Sequence, residues 1–160
     1  MGNIVALFTS LHGRIARKSF WIGAVALILL FFVISLAVNL MILRRDPFAT
    51  AFEPTLGDMR RHGFSYLAAV LIILYPSLAV LAKRLQDLDW PGWIAVLFFV
   101  PSLAFILAAI LGLAGTAMQP THIGRWTGIL EHTVQIVTIL ALGIVPGTKG
   151  PNRYGPDPSG

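Results

Sequence analysis

The sequence predicts an all-α fold, a polytopic transmembrane helical bundle with four spans. Three observations carry that expectation. The 160 residues are 56% hydrophobic and only 12% charged, which is about half the charge of an ordinary soluble domain. The apolar residues stand in long uncharged blocks rather than at amphipathic spacing, a pattern that a bilayer solvates and water does not. Arginine and lysine cluster beside those blocks, where they anchor helix ends and set topology.

Taken in order, residues 1–19 form an interfacial segment. Ile4, Leu7, Phe8, Leu11 and Ile15 recur at helical spacing, which predicts a short N-terminal helix lying in the membrane interface. A cleavable signal peptide fits less well, because the basic residues lie far from the start and the apolar block is too long. The first span is expected over residues 20–43, about 36 Å of helix against a hydrocarbon core of roughly 30 Å. Residues 44–63 contain Pro47, Pro54 and Gly57 and read as an irregular loop. The second span is expected over 64–82, closed by Lys83 and Arg84, and the third over 92–115, with Trp90 and Trp93 at its start. The fourth, about 127–146, crosses only if its helix starts near Trp126. That start puts Glu131 and His132 one to two turns inside. Residues 147–160 are rich in Pro and Gly and form an irregular cytoplasmic tail. The whole chain is then a single membrane domain, 1–160. With the N-terminus inside, Arg14, Arg17, Lys18, Lys83, Arg84, Lys149 and Arg153 lie on the cytoplasmic side, against Arg44, Arg45, Arg60, Arg61 and Arg125 outside. The excess, led by the N-terminal cluster, predicts an N-in, C-in orientation.

Composition also bounds function. The net charge of +5 sits in short clusters at span ends and not in the stripe a nucleic-acid binder needs. The chain has no cysteine, so it holds no disulfide, thiolate metal site or cysteine nucleophile. No zincin His pair, phosphate loop, Gly-x-Ser-x-Gly or paired-carboxylate arrangement is present. His62, His122, Glu131 and His132 lack metal-ligand spacing. No enzyme, cofactor or metal is therefore expected.

Three polar stretches carry a resemblance. They are Gly13-Arg14-Ile15-Ala16-Arg17-Lys18-Ser19-Phe20-Trp21, then Lys83-Arg84-Leu85-Gln86-Asp87-Leu88-Asp89-Trp90-Pro91-Gly92-Trp93, and the tail from Pro146 through Asn152-Arg153-Tyr154-Gly155 to Pro158. In order and spacing they resemble the bacterial inner-membrane family catalogued as domain of unknown function 805, over nearly the whole chain. The resemblance implies a multi-pass protein of the bacterial inner membrane and no known activity. Gln86 stands where the family usually has His, Asp89 where it has Gly and Pro91 where it has Ser. Gln86 can neither titrate nor ligate a metal as imidazole does, whereas Asp tolerates positive φ better than most residues.

Parity of the spans places all three stretches on one membrane face. Arg14, Arg17, Arg84, Asp87, Arg153 and Tyr154 are therefore the candidate cytoplasmic polar or anion site. Asp87 is expected to pair with an arginine of the N-terminal motif or the tail, the remaining cations facing anionic headgroups or a partner. A second candidate is a small intramembrane polar cavity with Tyr75, Ser77 and Ser102 on its wall, beside kinks at Pro76 and Pro101 that free the carbonyls of Ile72 and Leu97. Ala104, Ala108 and Gly112 form a small-residue face for close helix contact. The expected function is non-enzymatic action through lipid or protein contacts at the cytoplasmic face. Membrane lipids, anionic headgroups among them, are the expected partners, together with a homo-oligomer or membrane protein partner. The alternative is a small solute transporter or channel working as an oligomer, with Glu131 as its acidic residue.

Overall fold

The computed structural model describes residues 4–42, 56–116 and 118–158. Within them the chain is helical and has no β-strand; Gly115–Pro120 and Asn152–Gly155 make isolated bridges. Arg44, Arg45, Pro47 and Pro54 lie outside the described residues. We label the α-helices α1 (Ile4–Thr9), α2 (Arg17–Ala37), α3 (Leu56–Asp87), α4 (Val100–Ile110) and α5 (His122–Ile144). A π-helical turn, Val38–Ile42, continues α2, and a 3-10 helix, Gly92–Phe99, leads into α4. Among the described residues four segments are long and apolar enough to cross a membrane: Arg17–Leu40, Gly57–Asp87, Gly92–Ile110 and His122–Ile144.

The exposed surface of α2 shows why a bilayer is required. Phe20, Gly23, Ala24 and Leu27 are buried, spaced as one helical stripe. Ile22, Val25, Leu29, Phe32, Val33 and Leu36 recur at helical spacing and are all exposed. An apolar face of this extent would aggregate in water, whereas lipid tails cover it without cost.

Helix boundaries differ from expectation at three places, each with a local cause. α3 begins at Leu56, not at residue 64, so Asp58, Arg60, Arg61 and His62 are helical; Asp58 in the first turn suits the positive end of the helix dipole. The third segment does not run as one helix over 92–115. Pro101 sits in the first turn of α4, directly after the 3-10 helix. Its missing N–H is harmless there, because first-turn N–H groups have no helical partner anyway. Pro101 thus starts a helix and does not kink one, while Pro76 lies inside α3. α4 ends at Ile110, and Gly112 follows with φ +76°, so the small-residue face stops at Ala108. α5 begins at His122, four residues before Trp126, because Thr121 caps it: its Oγ1 accepts the Gly124 N–H at 3.0 Å, the usual bond to the third helical residue.

The chain divides into two compact units. The first takes in the residues up to 29, 73–98, and those from 135. Its core joins Ile15, Phe20, Ala24, Leu27, Val80, Ala82, Leu85, Ala95 and Leu142. The second comprises residues 30–72 and 99–134, with a smaller cluster of Ala108, Ala109 and Ala114 against Met59.

Candidate functional site

The first unit is organised by the need to satisfy helix-end carbonyls. The last four carbonyls of any helix lack helical donors, and near a membrane they must find others. In α5 these are Ala141, Leu142, Gly143 and Ile144. Val145 N–H donates to Ala141 O at 3.0 Å, Arg84 Nε to Leu142 O at 2.6 Å, the Trp21 indole to Gly143 O at 3.2 Å, and Arg17 Nη1 to Ile144 O at 3.4 Å. Gly143 has to be glycine, since a Cβ there would enter the Trp21 ring.

The end of α3 is closed by a turn. Asp89 N–H donates to Gln86 O at 3.1 Å, Trp90 N–H to Leu85 O at 2.9 Å, and Asp89 has φ +62°. This is the left-handed helix termination in which glycine is most common. Asp87 O accepts from the backbone N–H and hydroxyl of Thr148, at 2.9 and 3.0 Å. Asn152 Nδ2 donates to Gln86 O at 2.9 Å. The tail is thereby tied to α3 by main-chain and side-chain bonds.

Asp87 is the electrostatic centre. Its Oδ1 lies 3.0 Å from Arg14 Nε, and its Oδ2 pairs with Arg84 Nη1. All three side chains are at most 3% exposed. Two buried cations on one carboxylate leave an excess of positive charge, which carbonyl oxygens absorb. Arg14 Nη1 donates to Gly150 O at 2.6 Å and Gly155 O at 3.3 Å, and its Nη2 to Thr148 O at 2.6 Å. Arg84 Nη2 bonds Val145 O. Gly147 packs so close to the Asp87 carboxylate that a Cβ would overlap it.

The structure thus brings Arg14, Arg84 and Asp87 into one cluster, with Arg17 at the adjoining end of α5. Arg153 and Tyr154 stand apart. Arg153 pairs with Asp89 at 3.2 Å, more than half exposed, and lies 4.9 Å over the Tyr154 ring. The tail's turn N–H groups face an internal anion, for Gly150 N–H donates to Asp157 Oδ2 at 2.9 Å. Sequence reasoning missed Lys83, read only as a flanking charge. It is 4% exposed and donates to the carbonyls of Ala6 and Leu7. Tyr75, assigned to the cavity wall, donates instead to Thr9 O at 2.8 Å, so these two side chains serve three of the last carbonyls of α1. Ser77 is buried in the first unit and Ser102 in the second. Gln86 Nε2 donates to Leu11 O at 3.0 Å, while its buried Oε1 has no partner in the structure.

The second unit holds a different polar group. Glu131 is 3% exposed. The Tyr66 hydroxyl donates to its Oε1, and His132 Nδ1 lies 2.8 Å from its Oε2. His62 stacks on Tyr66 at 6.2 Å, and Phe31 and Phe105 meet the Tyr66 ring edgewise. The signal for Tyr66 was absent from the sequence, because it stands 65 positions from Glu131. Among the described residues no group of three or more His, Asp or Glu is placed to hold a metal.

A family model described as "Protein of unknown function (DUF805)" matches residues 8–156. Two curated relatives, each named Inner membrane protein YhaH, come from Escherichia coli (strain K12) and Escherichia coli O157:H7. Each is 24% identical over 153 residues, covering 94% of this chain and 88% of the relative. No solved structure matches.

Proposed function

The chain belongs to the DUF805 family, and we propose that it is a non-enzymatic inner-membrane protein acting through anionic lipid headgroups, or a partner protein, at its cytoplasmic face. One observation carries this reading. Arg14 and Arg84 use their donors on Asp87 and main-chain carbonyls, whereas Arg17, Lys18 and Lys149 of the same unit are exposed. Arg17 and Lys18 begin the first segment long and apolar enough to span, and basic residues at such a start suit the phosphate layer. α1, with Ile4 and Val5 exposed, would lie in the same interface. The buried cluster holds the surface in shape, and the exposed cations meet the ligand.

The test is native mass spectrometry of protein extracted gently from membranes. Retained anionic lipid is expected, falling steeply when Arg17, Lys18 and Lys149 are replaced together by Gln, and weakening with salt. Unchanged retention in that variant contradicts the reading. The burial of Glu131 favours a second reading, a small solute transporter or channel working as an oligomer. Liposome flux that depends on Glu131 would support it.

A further inference from the structure

We propose that Ser35, Asn39 and Ser65 form a binding site for one water molecule, which joins the end of α2 to α3 within the second unit. The site is separate from the lipid contacts proposed above. Its ligand is small, neutral and able both to donate and to accept hydrogen bonds.

A count of hydrogens carries the argument. Ser65 is 1% exposed, and its hydroxyl has a single hydrogen to give. Two acceptors compete for it: Arg61 O at 3.1 Å and Asn39 Oδ1 at 3.4 Å. The carbonyl, one turn back on α3, is the nearer and is the habitual partner of a helical serine. Asn39 Oδ1 lies beyond the ordinary O–H···O range. The Asn39 amide is held from reversing, because its Nδ2 donates to Ser35 O at 2.8 Å and only the nitrogen end can donate. Its oxygen therefore faces Ser65 Oγ, acceptor against acceptor, with no hydrogen between them. The Ser35 hydroxyl oxygen is a third member. It stands one turn from Asn39 on the same face of the helix, is buried, and has no partner among the described residues.

The surroundings make these unmet oxygens costly. Ser35 and Asn39 belong to one segment long and apolar enough to cross a membrane, and Ser65 to another; polar groups at such depth must find partners. The nearest contact between the same two helices offers none, since Phe31 meets the Tyr66 ring edgewise at 5.3 Å. Asn39 is the second residue of the π-helical turn Val38–Ile42, a rare irregularity that recurs at functional positions.

One water closes the set. It donates one hydrogen to Asn39 Oδ1, accepts the Ser35 hydroxyl, and offers its second hydrogen to a lone pair of Ser65 Oγ. A buried water requires two to four such partners. A cation is the poorer occupant. All three oxygens are neutral, and no acidic residue stands within four positions of Ser35, Asn39 or Ser65.

The experiment is solid-state NMR of isotope-labelled, full-length protein in vesicles, with magnetisation starting on water alone. The expected result is transfer to Ser65 but not to Ala69, which is fully buried one turn further along α3. In Asn39→Leu, which removes one acceptor, the Ser65 signal falls to the level of Ala69. In Ser35→Ala, which deletes only a hydroxyl, the signal weakens while helicity stays that of the parent. Absence of transfer to Ser65 in the parent overturns the proposal. So does transfer that either variant leaves unchanged, which would mark bulk water arriving by another route. Asn39 and Ser65 resonances that shift when choline replaces sodium would identify a bound cation and overturn it as well.

Discussion

At Asp87 two guanidinium groups share one carboxylate, all buried. Removing the acid leaves two cations with no counter-charge, and breaking a buried pair costs about 3–5 kcal/mol. Asp87→Asn should therefore lower the melting temperature in detergent by on the order of 10 °C. Asp89 gives the comparison. Its pair with Arg153 is about half exposed and is worth at most about 1 kcal/mol. Its φ of +62° favours glycine, so Asp89→Gly gains backbone freedom while losing the pair and should be close to neutral. Asp89→Ala loses both and should cost about 1–2 kcal/mol. A differential scan of the three variants checks the ranking. The Arg84–Asp87 pair joins residues three apart, which share a helix face. The burial of Lys83 was not legible in the sequence: a lysine at a helix end reads as an interface anchor, and only the return of α1 shows it buried under two carbonyls.

Elements were legible where hydropathy alone decides them. The four apolar blocks became, among the described residues, four helical segments long and apolar enough to cross a membrane, since an uncharged block of this length has few other solutions. The ends were less legible, because caps and partners set them. The polar run Asp58–His62 is carried as helix although it looks like loop, and the hydroxyl of Thr121 starts α5 earlier than its apolar run implies. Between α3 and α4 the contact depends on Gly63. A Cβ there would lie 3.0 Å from Ala109 Cβ and from Ile110 Cγ1, tighter than ordinary van der Waals contact. Gly63→Ala should overpack this contact and destabilise by about 1–3 kcal/mol, read as earlier loss of helicity on heating. A melting curve matching the parent would show that the two helices can separate freely.

At the scale of the whole molecule, the first unit joins residues that the sequence separates by more than a hundred positions. Arg14 reaches Thr148 and Gly150, 134 and 136 residues away, and Asp87 at 73. Parity led to the expectation that the three stretches share a membrane face, and hydrogen bonds join them within the first unit. It could not say which arginine meets which oxygen, since that follows from turns at Gly147 and Gly150 whose geometry no spacing encodes. Carbonyl demand ties the stretches to one another: α1, α3 and α5 each end on donors supplied by another stretch. The N-terminal motif, the end of α3 and the tail are therefore expected to form one assembly at one membrane face. The lack of cysteine allows a direct test with single cysteines at exposed His12, Asp89 and Lys149, probed by an impermeant maleimide in intact cells and in inverted vesicles. The expected result is labelling of all three in inverted vesicles only; labelling of Lys149 from the side opposite to Asp89 would contradict it.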